Sequence, residues 1–359
     1  MLQSFTFSPS ANKEAAQTLA IEAHELSKSY GDIKAVAGLD LTIPQGQFFG
    51  LLGRNGSGKT TTLHMLSTLI RPTQGQAQVA GYDVVRSPVE VRRSIGLVFQ
   101  ESALDRTLTV EENLCFAGAL YNLPAPVVHR RTEELLGLFD LLDKRDVRVA
   151  TLSGGMRRAL DIARGVLHRP RILLLDEPTI GLDVIHRRAI WQFLERLRKE
   201  EGTTLVLTTH YLEEAASCDQ VAFMKKGRII GRGSPADLIC NLAAYILEIE
   251  TEAPAQAAQY LSPRFGPPII EGDRLLFRIK TQEFPLAELQ QELRSWVQAV
   301  QLRRPDLNDV YIWLNRAETT RREVPSRTPT PSLPWTSGEG EGGGKGWDGG
   351  EERGEGELG

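Results

Sequence analysis

Short apolar runs alternate with amphipathic stretches from Leu19 to about Asp237, and this predicts the repeated strand and helix units of an α/β domain. Four runs stand out: Phe48–Leu52, Ile95–Phe99, Ile172–Leu175 and Thr204–Leu207. Each is short and mostly apolar or β-branched, the pattern of a strand covered on both faces of a sheet. The stretch from about Leu104 to Ala150 is rich in Leu and Glu/Arg and carries Asn-Leu-Pro-Ala-Pro at 122–126, so it predicts a helical insert broken by a turn.

A second, smaller α+β unit is expected over 241–315. Ile246–Ile249 and Leu275–Ile279 read as strands, and Leu286, Leu289, Leu293, Trp296 and Val300 fall at helical spacing on one stripe. Residues 1–18 are polar and aperiodic and read as a loose leader before a domain spanning 19–240. Residues 316–359, ending in a half-glycine tail, cannot bury enough apolar surface to offset ordering entropy and read as disordered.

Composition narrows the class. The chain of 359 residues is 41% hydrophobic and 25% charged, which suits a globular protein with a sizeable core. Its net charge of −4 belongs to the end of the chain, because 338–359 hold seven acids against two bases. The rest is near neutral, so no basic field argues for nucleic acid. Three scattered cysteines (Cys115, Cys218, Cys240) form neither a metal-binding pair nor a disulfide framework, which fits a reducing compartment. The first residues lack a signal-peptide pattern, and no run approaches the roughly 20 apolar residues that span a bilayer. A cytoplasmic location is expected.

The strongest chemical signal is Gly53-Arg54-Asn55-Gly56-Ser57-Gly58-Lys59-Thr60, a GxxxxGK[ST] loop between the strand FFGLL and the amphipathic run Thr61–Leu69. Glycines let backbone N–H groups cradle phosphates at a helix start. Lys59 would reach the β- and γ-phosphates of a nucleotide, and the Thr60 hydroxyl would ligate Mg²⁺. A second signal is the apolar strand ending in Asp176-Glu177, acids that are costly there unless they meet a cation or polarised water. Alone the pair could be a solvated turn. With the phosphate loop, Asp176 becomes a Mg²⁺ holder and Glu177 a general base for the attacking water.

Gln100 and His210 also end strands, where ligands of open α/β sheets bind. His210 could hydrogen-bond a γ-phosphate oxygen or the water. His24, His64, His129, His168 and His186 show no such placement and receive no role. Leu152-Ser153-Gly154-Gly155-Met156 opens another helix, with Ser153 as its N-cap. By itself it is either an ordinary cap or a second anion site.

Taken together over residues 19–237, these motifs resemble an ATP-binding-cassette nucleotide-binding domain of the P-loop NTPase fold. The resemblance identifies 53–60 as the Walker A loop, with Thr61 beside it, and Tyr30 in LSKSYGDIKAV as the adenine-stacking aromatic. It makes Gln100 the Q-loop residue and a Mg²⁺ ligand, 152–156 the signature loop, and 172–177 the Walker B strand with its catalytic glutamate. Gly181-Leu182-Asp183 becomes the D-loop and His210 the switch histidine. It also implies a helical subdomain near 101–165.

In such proteins two cassettes pair head to tail, so Ser153 and Gly155 would act on the partner's ATP. One cassette with every catalytic position intact implies a homodimer and argues against a non-hydrolysing regulatory cassette. The strings 98–114 and 152–183, and RRPDLNDVYIWL at 303–314, resemble drug- and polyketide-exporting cassettes of the daunorubicin-resistance type. The resemblance therefore implies an exporter ATPase on the inner face of the cell membrane, held there by separate permease subunits. Leu104, Leu108 and Phe116 are either permease contacts or insert core. The competing reading is a soluble cassette ATPase of the iron–sulfur assembly kind.

Overall fold

The structure, a computed structural model, describes residues 18–281, 284–294 and 297–322. Its centre is a six-stranded sheet of β3 (Phe48–Leu52), β6 (Ile95–Val98), β7 (Ile172–Asp176), β8 (Thr204–Thr209), β9 (Gln220–Lys225) and β10 (Arg228–Gly233), in the order β10-β9-β3-β8-β7-β6. All neighbours run parallel except the edge pair β9 and β10. The four apolar runs predicted as strands are four of these.

Strand alternation explains why those runs are apolar throughout. Phe48, Leu52, Leu173, Leu175, Leu205 and Leu207 join the core on one face, and Phe49, Leu51, Ile172, Leu174 and Val206 join the core on the other. Each fully buried Leu or Phe contributes about 2 kcal/mol, so apolar residues fill both faces away from the strand ends. The first face is covered by α3 (Val110–Leu120), α4 (Ala125–Leu138), α5 (Gly154–Val166) and α6 (Val184–Glu201).

The other face meets α1 (Lys59–Leu66) and a second, antiparallel sheet of β1 (Leu19–Tyr30), β2 (Ile33–Pro44), β4 (Gln74–Val79) and β5 (Tyr82–Asp83). Here Ile21, Leu39, Leu41 and Ile43 face inward onto Leu63 and Leu66 of α1. The β-and-α alternation expected from Leu19 onward does not describe this part. β1 and β2 form a long hairpin turned by Gly31 at φ +55°, and α2 (Pro88–Ser94) follows only after β5.

The helical insert is present. Thr109 starts α3 with a capping box, accepting from Glu112 N while Glu112 Oε2 accepts from Thr109 N. Asn122, at φ +53°, and Pro124, the α4 N-cap, make the predicted break. Short 3₁₀ turns at 142–144 and 149–151 lead into α5.

After α7 (Leu212–Ala215) and α8 (Pro235–Leu242), the second unit runs β11 (Tyr245–Glu250), α9 (Pro254–Phe265), β12 (Ile269–Glu271), β13 (Arg274–Ile279), α10 (Leu286–Leu293) and β14 (Ala299–Arg303). This is a βαββαβ unit with antiparallel sheet order β12-β13-β11-β14, the split-βαβ arrangement. Leu247, Ile249, Leu275 and Phe277 pack under α9 and α10, while Ile246 and Leu276 face Trp313 of α11 (Leu307–Arg322). Leu307 and Val310 of α11 join the cassette core, so this helix ties the two units together.

One expectation is corrected. The stripe from Leu286 stops at Leu293, because Val300 lies in β14 opposite Ile249; Trp296 lies outside the described residues. α11 crosses the boundary expected at 316. α11 continues to Arg322 from a firm start, where Asp306 Oδ1 accepts from Asp309 N and Asp309 Oδ2 accepts from Asp306 N, each at 2.9 Å. The leader through residue 17 and the tail from 323 lie outside the described residues.

Candidate active site

The parallel strands place the ends of β3, β6, β7 and β8 along one edge of the sheet. The loop after β3 is tight enough to need its glycines. A Cβ on Gly53 would come 2.6 Å from Ser57 Oγ, and Gly58 sits at φ +107° with room for no side chain against Met224. Gly58 is the N-cap of α1 and offers no side-chain cap, so the first-turn N–H groups and the positive helix end serve an external anion. The buried Ser57 hydroxyl is without a hydrogen-bond partner among the described residues, as a loop awaiting a ligand requires.

Lys59 is 4% exposed and curls back into this loop, donating to Gly53 O at 2.7 Å and Arg54 O at 3.3 Å. Burial holds its ammonium below the ordinary lysine value, against the pull of the Glu177 and Asp176 carboxylates. Arg54, Asn55 and Gly56 are exposed around it, and Thr60 and Thr61 follow in the first turn of α1.

Asp176 ends β7 at 2% exposure, and its Oδ1 accepts from Thr60 Oγ1 at 3.2 Å and from the Thr208 hydroxyl. One carboxylate and one hydroxyl make a hard-oxygen pair of the kind that holds Mg²⁺ together with substrate phosphates. Among the described residues no cluster of three His, Cys, Asp or Glu could hold a metal by itself.

Glu177 adopts φ +45°, unusual for a residue with a side chain, and its N–H donates to Thr208 O at 3.1 Å. The turn suspends its carboxylate between two nitrogen groups: Oε1 lies 3.8 Å from Lys59 Nζ, and Oε2 lies 3.2 Å from His210 Nδ1. A carboxylate so placed, at 7% exposure, can take a proton from a water.

Among the described residues, none of the other predicted residues is hydrogen-bonded to Asp176 or Glu177. Gln100 is exposed two residues beyond β6. Tyr30 is half-exposed at the β1 hairpin, with Lys28 Nζ 5.2 Å above its ring. Ser153 caps α5 as expected, accepting from Met156 N at 3.2 Å; Gly154 is exposed, Gly155 buried, and Leu152 and Met156 pack into the core. Gly181 takes φ +71°, Leu182 packs on the core, and Asp183 caps α6 by accepting from His186 N at 2.9 Å.

Three residues escaped the sequence reading. Arg158 of α5 is buried and donates to the carbonyls of Pro178, Phe99, Asp176 and Glu177, joining α5 to the ends of β6 and β7. Its signal was an arginine within the apolar stripe of α5. Buried Glu214 accepts from the hydroxyls of Thr179 and Thr209, bracing the approaches to Glu177 and His210. His186, given no role from sequence, lies against Gly155.

The ABC transporter family profile matches residues 36–180. The daunorubicin/doxorubicin resistance ATP-binding protein of Streptomyces peucetius is 42% identical over 253 residues, covering 69% of this chain and 76% of that protein. The chain belongs to the ABC transporter ATP-binding family. A daunorubicin resistance ATP-binding protein of Streptomyces coeruleorubidus is 39% identical, covering 85% of this chain and 98% of that protein. The Nod factor export ATP-binding protein I of Ralstonia nicotianae is 41% identical over 62% of this chain and 70% of its own length. Among solved structures, a dimeric cassette in a post-hydrolysis state bound to ADP and Pi aligns with TM-score 0.56 at 28% identity, covering 60% of this chain and 98% of that chain. ABC cassettes are ATPases, and this chain binds ATP as one of them. Among the described residues no helix is long and apolar enough to cross a membrane.

Proposed function

We propose that this chain is the ATP-hydrolysing, energy-coupling subunit of an exporter for small molecules of drug or polyketide kind, working as a homodimer on separate permease subunits. The observation that carries the hydrolysis is Glu177, held between Lys59 and His210 at 3.8 and 3.2 Å. In this reading Tyr30 stacks on adenine, and the 53–58 backbone with Lys59, Thr60 and Thr61 holds the phosphates. Thr60, Asp176 and Gln100 would hold Mg²⁺, which when bound neutralises phosphate charge. Glu177 takes the proton of the attacking water, and His210 steadies the carboxylate and the γ-phosphate.

Ser153 and Gly155, in the turn of Leu152 to Met156, serve the ATP of the second copy, and Gly181 to Asp183 line the seam between copies. The exposed apolar residues there, Val184 and Ile185, support a covered surface. The export reading is supported by the relatives named for drug resistance and Nod factor export, support that the iron–sulfur alternative lacks.

For the permease we assign the outer side of α3, where Phe116 and Leu120 are 59% and 63% exposed and Leu120 lines a groove with Leu69, Leu97 and Tyr121. Leu104, at 7% exposure, belongs to the core instead, and Leu108 is half-buried. Such a partner would hold the chain at the cytoplasmic face of the membrane. In this reading the chain divides into a cassette over 19–240 and a smaller unit over 241–315, with α11 contributing to the cores of both. The test is Mg-ATP turnover by the purified chain with and without the integral-membrane protein that copurifies with it. Turnover that the membrane protein alters supports the reading; a chain recovered only with a soluble scaffold, its turnover indifferent to membrane proteins, overturns it.

A further inference from the structure

The three heavy atoms nearest a Cβ placed on Gly155 all belong to the His186 ring: Cδ2, Cγ and, at 2.7 Å, Nε2. Gly155 is therefore buried although Ser153 and Gly154 beside it are exposed. The same ring bonds Asp183 Oδ2 through Nδ1 at 2.6 Å, while His186 N donates to Asp183 Oδ1. These bonds hold the Asp183 carboxyl below the usual carboxylate range. The turn they brace has little else to fix it on its outer side, where Val184 and Ile185 are 77% and 81% exposed. One imidazole thus touches two loops that are far apart in sequence.

We propose that His186 is a positioning residue that latches the D-loop turn 181–183 onto the signature turn 153–155 of the same chain, so that both reach the partner's ATP as one body. The proposal rests on the reading that Ser153 and Gly155 act on the second copy's nucleotide. Its physical content is entropy. Two loops held in one arrangement before the dimer closes need not be ordered at that moment, so the latch acts on closure and turnover rather than on nucleotide capture by Lys59.

The experiment compares His186→Ala with the parent in the full chain. Turnover at saturating ATP is expected to fall about tenfold, with KM for ATP within about twofold. The melting temperature is expected to stay within about 3 °C, since the contact lies at the surface. In the Glu177→Gln background, His186→Ala is expected to weaken ATP-driven dimerisation about tenfold by sedimentation. His186→Asn, whose amide can keep the Asp183 bond, is expected to recover part of the turnover. Wild-type turnover in His186→Ala, or turnover lost together with nucleotide binding and melting temperature, overturns the latch. If Glu177→Gln dimerises with ATP and His186→Ala changes nothing, the latch alone fails. If Glu177→Gln stays monomeric with ATP, the reading of the signature turn fails with it.

Discussion

His210 Nδ1 stands 3.2 Å from Glu177 Oε2, and the other oxygen of that carboxylate stands 3.8 Å from Lys59 Nζ. The backbone enforces the arrangement: a left-handed turn at Glu177, tied to Thr208, lifts the carboxylate out of the sheet edge toward both partners. Glu177→Gln keeps the shape and removes the proposed base. Phosphate release should fall by about 10²–10⁴-fold while ATP binding persists, as measured by steady-state turnover beside equilibrium binding of a fluorescent nucleotide.

Arg158 should be a stability residue as well as a site organiser. Its guanidinium satisfies four carbonyls, and an ammonium cannot reproduce that planar fork. Arg158→Lys is expected to cost about 2–3 kcal/mol in urea unfolding and to lower turnover, because the freed acceptors stay buried.

His168 gives the fold an acid sensitivity. Its Nε2 donates to Ile95 O at 2.9 Å, its ring stacks on Tyr121 at 3.6 Å, and its buried Nδ1 lacks a partner among the described residues. Burial pushes its pKa down to about 4. The unfolded chain binds that proton near pH 6.5 and the folded chain only near 4, so the contribution to stability is full above 6.5 and erodes as pH falls through this window. The loss is of order 3 kcal/mol at the low end. His168→Gln keeps a donor to Ile95 and cannot titrate, so its unfolding free energy should vary less between pH 6.5 and 4 than the parent's.

In the second unit Asp309 is fully buried, and both its oxygens are held by Arg303, at 2.7 and 2.8 Å. Arg303→Met leaves that carboxylate uncompensated and should cost about 3–5 kcal/mol. Limited proteolysis should then cut first within 245–322, ahead of the cassette.

Much of this was legible in the sequence because burial on both faces of a parallel sheet writes apolar runs, and the residues proposed to carry the chemistry sit where those runs end. Phe48–Leu52 and Ile172–Leu175 announced both the strands and the residues after them. The β1–β2 hairpin was not legible in that way, since its buried positions are interleaved with half-buried and exposed ones and its runs are mixed. Val300 matched a helical spacing by coincidence and was claimed by pairing with β11. Arg158 and Glu214 were invisible for another reason. Their partners are main-chain carbonyls and threonine hydroxyls, and Arg158 reaches as far as 59 residues away. His186 was discounted because nothing in the sequence says that Gly155 lies beneath it.

The central claim is that each ATP is hydrolysed between the Walker A loop of one chain and the signature turn of another. Mixing Lys59→Ala chains with Ser153→Arg chains tests it directly, since each homodimer lacks a complete site while a mixed dimer regains one. Equal amounts should restore about a quarter of wild-type turnover, because half the dimers are mixed and each holds one of two sites. Turnover no higher than that of the two variants measured alone would contradict the account.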